Sequence, residues 1–268
     1  MYDAHHLINA INKKIKCSID WEGQNYLGLT LDWNYNKKYV DISIPGYIPT
    51  VLQKFQNKPP DFPQEALHPW NKPVYGKHIQ LANHQSSTTK INSADTNRVK
   101  SINSTSLYYN QAVDPTMIPS LNEIFTCQSI PTQETMDNYN QFLDYVSTHP
   151  NATICYHASD MILITDTDDN YLVLLEARTH IVGYYYFTKI LLDYYKGTPT
   201  TNGPISIECK TLKTVVSFSD EAETGGTFEN AQNVIPLRHI LENIYLHQKK
   251  HQMLPNHHRQ SHISRHPH

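Results

Sequence analysis

The stretch MILITDTDDNYLVLLEARTHIVGYYYF at 161–187 decides the fold, together with ISIEC at 205–209 and SDEAETGGTFEN at 219–230. Its apolar runs are short and rich in β-branched and aromatic residues, which is typical of strands. In the last segment, Glu221 and Glu223 fall where the first turns of a helix would lie, and a helix dipole favours carboxylates there. We therefore predict three strands followed by a helix.

The chain beyond this unit divides into two parts. The apolar spacing of Val234–Leu246 predicts that the helix continues, and Pro236 would favour a kink because proline lacks a backbone donor. The last 22 residues, 247–268, carry seven of the 16 histidines and little apolar content. We expect this His-rich tail to be disordered.

The pattern of apolar residues in the N-terminal part predicts a helix, a hairpin and a second helix. Apolar residues at helical spacing indicate an amphipathic helix over Ala4–Ile15. In 26–44, apolar and polar residues alternate on both sides of the turn Asn34–Lys37, which is typical of two antiparallel strands. An apolar stripe over Tyr47–Phe55 predicts a short helix.

The middle of the chain contains a polar, proline-rich stretch followed by two segments with helical apolar spacing. Residues 58–107 contain five prolines and then a Ser/Thr/Asn-rich run, which predicts an extended, mobile linker. Further on, Pro115–Phe125 and Gln133–Ser147 have helical apolar stripes, and Thr132 is suited to the N-cap of the second helix. We predict that these two helices form an antiparallel pair within 108–150.

Composition sets limits on function. The 268 residues have a formal net charge of −3, so the chain as a whole lacks the basic footprint that phosphate binding needs. None of the four cysteines forms a CxxC pair, which favours free thiols in a reducing compartment. Without a signal-like apolar segment or a run long enough to span a membrane, an intracellular location, cytoplasmic or nuclear, is expected.

Ordered motifs across residues 1–246 resemble the C-terminal part of the polymerase polyprotein of copia-type LTR retrotransposons. The upstream motifs are similar to the end of the reverse transcriptase palm, its thumb and the connection: Gly28–Trp33, Val40–Tyr47 and His68–Trp70. The later motifs are similar to the strands and the catalytic helix of its ribonuclease H (RNase H) domain: Tyr156–Met161, Thr167–Leu172, Asn202–Ile205 and Glu221–Gly226.

The resemblance implies an α+β fold in which a reverse-transcriptase thumb and connection remnant precedes an incomplete RNase H-like sheet with a helix. The expected divisions are the end of the palm with a thumb-like hairpin and helix at 1–57, the linker at 58–107, the helical connection at 108–150, the RNase H-like domain at 151–246 and the tail at 247–268.

The same resemblance implies a site. RNase H chemistry uses two divalent metals held by converging carboxylates, and hard oxygen ligands suit Mg²⁺. Asp168, expected just after the first strand, matches the strand-end aspartate of the family, and Glu223 matches its helical glutamate. Asp166 would share a face with Asp168 if the strand continues, which makes it a further possible ligand. The implied partners are an RNA–DNA hybrid or DNA, with Mg²⁺ as the cofactor.

The departures from the family pattern point to lost activity. The paired polymerase aspartates would lie upstream of residue 1, and no aspartate follows Asp220 where a later RNase H strand should carry one. We therefore expect little or no nuclease activity, and an open sheet edge with marginal stability. Two alternatives stay open: a Mg²⁺-dependent nuclease of RNA–DNA hybrids, and a non-catalytic module that binds nucleic acid through its thumb-like region.

Several of these residues also have an ordinary structural explanation. Asp168 is equally compatible with an exposed turn, and Glu223 with stabilisation of a first helical turn. Trp33, Tyr35 and the following lysines would suit contact with a template–primer duplex, but Trp33 also suits packing within the hairpin.

Overall fold

The computed structural model describes residues 2–69, 89–174, 178–189 and 201–244, and it confirms a mixed α+β architecture. The helices are α1 Tyr2–Asn12, α2 Tyr47–Lys54, α3 Ser93–Ala112, α4 Ile118–Thr126, α5 Gln133–Thr148 and α6 Ser219–Ile244, with a 3₁₀ turn at Pro115–Met117. The strands are β1 Asn25–Tyr26, β2 Leu29–Asn34, β3 Tyr39–Ser43, β4 Thr153–His157, β5 Ile162–Leu174, β6 Arg178–Thr188 and β7 Pro204–Thr211.

The first sheet has the order β1-β2-β3-β4, with every neighbouring pair antiparallel. The predicted hairpin is confirmed as β2 and β3. Strand β4 lies within 151–246, the range predicted to be RNase H-like, and it pairs with β3 of this first sheet. Val40 lies opposite Tyr156, and Ile42 lies opposite Ile154. Since side chains opposite each other share a face, β4 extends the apolar face of the hairpin.

A helical core lies beside this sheet and corrects the predicted linker. Residues 93–107, assigned to the linker, form most of α3, while 70–88 lie outside the described residues. Asn92 caps the helix by accepting a hydrogen bond from the Asp95 amide at 2.8 Å. Most of its sequence is polar, but three of its side chains are fully buried among α2, α4 and α5: Val99, Ile102 and Tyr109. Helix α3 is therefore stabilised by packing against neighbouring helices, which its polar composition did not indicate.

Helix α5 confirms the predicted N-cap. The Thr132 hydroxyl accepts a hydrogen bond from the Thr135 amide, and the Thr135 hydroxyl accepts one from the Thr132 amide at 3.1 Å. This reciprocal pair satisfies two amides that the first turn leaves without helical partners. One face of the helix then enters the core, where Tyr139, Phe142 and Leu143 are at most 1% exposed.

The second sheet has the antiparallel order β5-β6-β7, and α6 packs on one of its faces. Asn230 of α6 is 1% exposed and holds this contact. Its amide donates to the Val182 carbonyl at 3.0 Å, and its side-chain oxygen accepts from the Tyr185 hydroxyl at 3.0 Å. Gly183 makes the close approach possible, since a Cβ there would lie 2.8 Å from Asn230 Cγ. The helix continues through Pro236 to Ile244.

Asn202 joins the two sheets. Its amide nitrogen donates to the carbonyl of His157, in the first sheet, at 3.0 Å and to that of Phe187, in the second sheet, at 2.9 Å. Its side-chain oxygen accepts from the amides of His157 and Gly203 at 2.8 and 2.9 Å. All four hydrogen bonds of this amide side chain are therefore made where it is buried.

Candidate carboxylate site

Asp168 lies inside a strand and not after its end, because β5 runs from Ile162 to Leu174. The pairing of β5 with β6 is regular over this part, with Asp168 opposite Val182 and Asp169 opposite Ile181. Successive side chains of a strand point to opposite faces. The two neighbouring aspartates are therefore separated by the sheet itself.

The face of the sheet that meets α6 is identified by Ile181. A Cβ built on Gly226 of α6 would lie 3.2 Å from Ile181 Cγ2. Asp169, directly opposite Ile181, therefore faces the helix, whereas Asp168 faces the other side. Because Glu223 is on the helix, the predicted pair of Asp168 and Glu223 is not brought together.

The carboxylate that does approach Glu223 is Asp169. Partial burial raises the pKa of Asp169 to about 6, with further increases from the negative charges of Glu223 and Asp168. Sequence reasoning treated Asp169 only as a neighbour of Asp168. The alternation of side chains between the two faces of a strand would have identified Asp169, but only if β5 had been predicted to extend past residue 166.

Asp166 shares its face with Asp168, as predicted for a continuing strand. It lies opposite Tyr184, whose hydroxyl donates to the Asn202 carbonyl at 2.9 Å. Burial raises the pKa of Tyr184 to about 12, with smaller contributions from Tyr156 and from the Asp166 carboxylate. Asp166 and Asp168 are both exposed.

The donor set does not fit a two-metal centre. Asp169 and Glu223 are oxygen donors of the type that Mg²⁺ prefers, but Asp168 and Asp166 lie across the sheet from them. Within the described ranges, no three His, Cys, Asp or Glu side chains form a group suited to a metal ion. Two carboxylates alone cannot clamp both the attacking and the leaving oxygen of a phosphodiester.

A second polar cluster, which the sequence did not indicate, lies on the face opposite α6. The Asn122 amide nitrogen of α4 lies 2.9 Å from His180 Nε2 and donates to the Cys209 carbonyl at 2.7 Å. Cys209 Sγ is 3.2 Å from the same imidazole nitrogen. Burial raises the pKa of Cys209 to about 11 and lowers that of His180. Both groups are therefore neutral near pH 7, and Cys209 is not activated as a thiolate. The hydrogen bonds of Asn122 hold α4 against the sheet.

The hairpin presents an exposed aromatic pair. The rings of Trp33 and Tyr35 stack with centroids 5.9 Å apart and planes within 7°. Tyr35 is 77% exposed and Trp33 is 42% exposed, although the Trp33 indole also donates to the Gly23 carbonyl at 2.7 Å. Lys37 and Lys38 follow in the turn. An open aromatic ring face is a feature on which unpaired bases stack.

Comparisons with protein-family models, with curated proteins and with solved structures found no match to this chain. Among the described residues, no helix combines the length and the apolar character needed to cross a membrane.

Proposed function

We propose that this chain is a remnant of a copia-type retrotransposon polymerase polyprotein whose RNase H-like part does not cleave nucleic acid. The support for the family is the order of elements: three antiparallel strands followed by a helix on one face, in the stretch that carries the resembling motifs. The support for inactivity is the separation of Asp168 from Glu223 by the sheet, because in-line hydrolysis needs both carboxylates on one metal cluster.

The test is cleavage of a labelled RNA–DNA hybrid by the full chain in Mg²⁺ and, separately, in Mn²⁺. No product above the level of a protein-free control is expected with either ion. Cleavage that disappears in Asp168→Asn and persists in Asp169→Asn would contradict the proposal and restore Asp168 as a ligand. Cleavage that shows the reverse dependence would identify a nuclease built on Asp169 and Glu223.

A second candidate function is binding of single-stranded nucleic acid by the hairpin, without chemistry. It is favoured by the exposed stack of Trp33 and Tyr35, which Lys37 and Lys38 follow in the sequence. Stacking on one aromatic ring contributes roughly 1–3 kcal/mol per base, so Tyr35→Ala should weaken binding at least several-fold. Tyr35 is the better residue to change, because Trp33 also supports the loop through Gly23.

Fluorescence anisotropy with a labelled oligonucleotide at several salt concentrations tests this second function. The matched control is Tyr26→Ala, which removes an aromatic side chain that is 63% exposed outside the stacked pair. Binding that weakens with salt and in Tyr35→Ala, but not in Tyr26→Ala, is the expected result. Binding without a salt slope, or equally affected by both changes, would exclude the hairpin as the phosphate-binding surface.

A further inference from the structure

Helix α1 exposes an apolar stripe. At about 100° per residue, Leu7, Ile8 and Ile11 fall on one side of this helix and Asn9 falls on the opposite side. Leu7 is 60% exposed and Ile11 is 40% exposed. Helix α2 has a similar stripe but buries it in the helical core, where Ile48 is 3% exposed. The kind of face that α2 buries is therefore presented to solvent by α1.

The exposed stripe continues after the last residue of α1. The Ile15 amide donates to the Ile11 carbonyl at 2.9 Å, which places Ile15 one helical turn further along the same side. Ile15 is 68% exposed. Trp21 is 56% exposed, and its ring stacks on that of His5 in α1, with the ring centroids 4.7 Å apart. Together these exposed side chains form the N-terminal apolar surface: Leu7, Ile11, Ile15 and Trp21.

Basic residues lie within the same segment. Lys13, Lys14 and Lys16 follow the last residue of α1, and two of them flank Ile15 in the sequence. Asp3 is the one acidic residue among 1–19, so this segment is positively charged although the whole chain has a formal net charge of −3. An apolar helix face combined with lysines and a tryptophan is typical of helices that lie in the plane of an anionic membrane surface.

The size of the helix also favours a lipid surface over a second copy of the chain. The 11 residues of α1 span about 16 Å, roughly half the thickness of the hydrocarbon core, so the helix can lie on a bilayer without crossing it. A stable dimer buries roughly 800 Å² on each partner, which is more than the apolar stripe of so short a helix supplies. Two copies joined through this face would also bring their lysines close together.

We propose that the N-terminal apolar surface docks on an anionic lipid bilayer. Its apolar side chains enter the boundary between headgroups and acyl chains, and Lys13, Lys14 and Lys16 lie against the anionic headgroups. Trp21 suits the same boundary, because its ring is largely apolar and its indole nitrogen is a hydrogen-bond donor. The proposal does not depend on the retrotransposon origin proposed for the chain.

Co-sedimentation of the full chain with lipid vesicles tests the charge dependence. We expect binding to vesicles of phosphatidylcholine mixed with phosphatidylserine, weakening as salt is added, and little binding to phosphatidylcholine alone. Each lysine near an anionic surface strengthens binding roughly five-fold, so Lys14→Gln should weaken it by about that factor. Equal binding to both kinds of vesicle, or binding to neither, would overturn the proposal.

A matched pair of uncharged variants tests the apolar contact. Ile11→Ser removes an apolar side chain from the stripe and should weaken binding at least about five-fold. Asn9→Ser makes a change on the exposed opposite side of α1 and should leave binding unchanged. Neither variant should shift the urea midpoint of the full chain, because both positions are exposed. An equal loss of binding in both variants, or a lower midpoint for Ile11→Ser alone, would show that the stripe packs on protein and refute the lipid contact.

Competition with a single-stranded oligonucleotide separates lipid from nucleic acid as the partner of the lysines. We expect Ile11→Ser to lose affinity for the vesicles without any change in its affinity for the oligonucleotide, and we expect the oligonucleotide to leave the wild type bound to vesicles. Displacement of the wild type from the vesicles by the oligonucleotide would assign the lysines to nucleic acid and overturn the proposal.

Discussion

Replacing Asp169 with asparagine should stabilise the fold at neutral pH. In the folded chain, burial and the nearby Glu223 and Asp168 carboxylates raise the pKa of Asp169 from its ordinary 3.8 to about 6. The negative charge is therefore less favourable in the folded state than in the unfolded state. An asparagine side chain at this position would keep the size of the aspartate and remove that charge.

The magnitude follows from the pKa difference. At about 1.4 kcal/mol per pKa unit, a rise from 3.8 to about 6 corresponds to an upper limit of about 3 kcal/mol. Asp169 is only half-buried, so solvent screening reduces the effect to about 1 kcal/mol. Because the folded state binds the proton more tightly, the penalty is absent below about pH 3.8, grows as the pH rises, and is complete above about pH 6.

Urea denaturation of the wild type and of Asp169→Asn at pH 4, 6 and 7.5 measures this effect. We expect a higher free energy of unfolding for the variant at pH 7.5 and a much smaller difference at pH 4. Asp166→Asn is the matched control, since Asp166 lies on the other face of the same strand. A pH-independent gain, or an equal gain in the control, would refute the placement of Asp169 against α6.

Other changes test the packing on both faces of the second sheet. Gly183→Ala should cost about 1–3 kcal/mol of stability in urea denaturation through overlap with Asn230, and Gly225→Ala should cost less because a Cβ there meets only the flexible Leu212 side chain at 3.2 Å. Asn122→Ala should lower the free energy of unfolding by about 1–3 kcal/mol, because it removes the donor to two partly buried acceptors, His180 Nε2 and the Cys209 carbonyl. A loss below about 0.5 kcal/mol would show that these hydrogen bonds do not hold α4 against the sheet. Burial lowers the pKa of His180, so the folded state disfavours its protonated form. The free energy of unfolding, measured in Asp169→Asn to remove the titration of Asp169, should therefore fall as the pH drops below about 6.5. A flat pH profile would place His180 in contact with solvent.

The elements that could be predicted are those specified by local sequence. The hairpin follows from alternation around a polar turn, and the start of α5 follows from the capping chemistry of Thr132. Helix α3 was missed because its polar residues outnumber its apolar ones, and only packing against other helices reveals the buried stripe. The pairing of β4 with β3 could not be predicted, because β3 lies more than 100 residues earlier in the chain and local patterns carry no information about such pairing.

The strand and the helix that carry the predicted site residues, β5 and α6, do pack against each other in the fold. Motif resemblance selects Asp168, whereas the face of the sheet that meets α6 carries Asp169. A shift of one residue moves a side chain to the opposite face of a strand. Metal binding by Asp168, Asp166 and Glu223 stays a prediction, and the geometry gives reasons to test Asp169 beside them.

The Asn202 side chain has a consequence for how the chain can be divided. Because it hydrogen-bonds to both sheets, cutting before residue 151 would separate β4 from β3 while leaving β4 attached to the second sheet. The released fragment would carry an orphan strand with an exposed apolar face, which favours aggregation. The two sheets should therefore lose amide-exchange protection together, as one cooperative unit. Proteolytic dissection of the chain into independent parts before and after residue 151 should fail for the same reason.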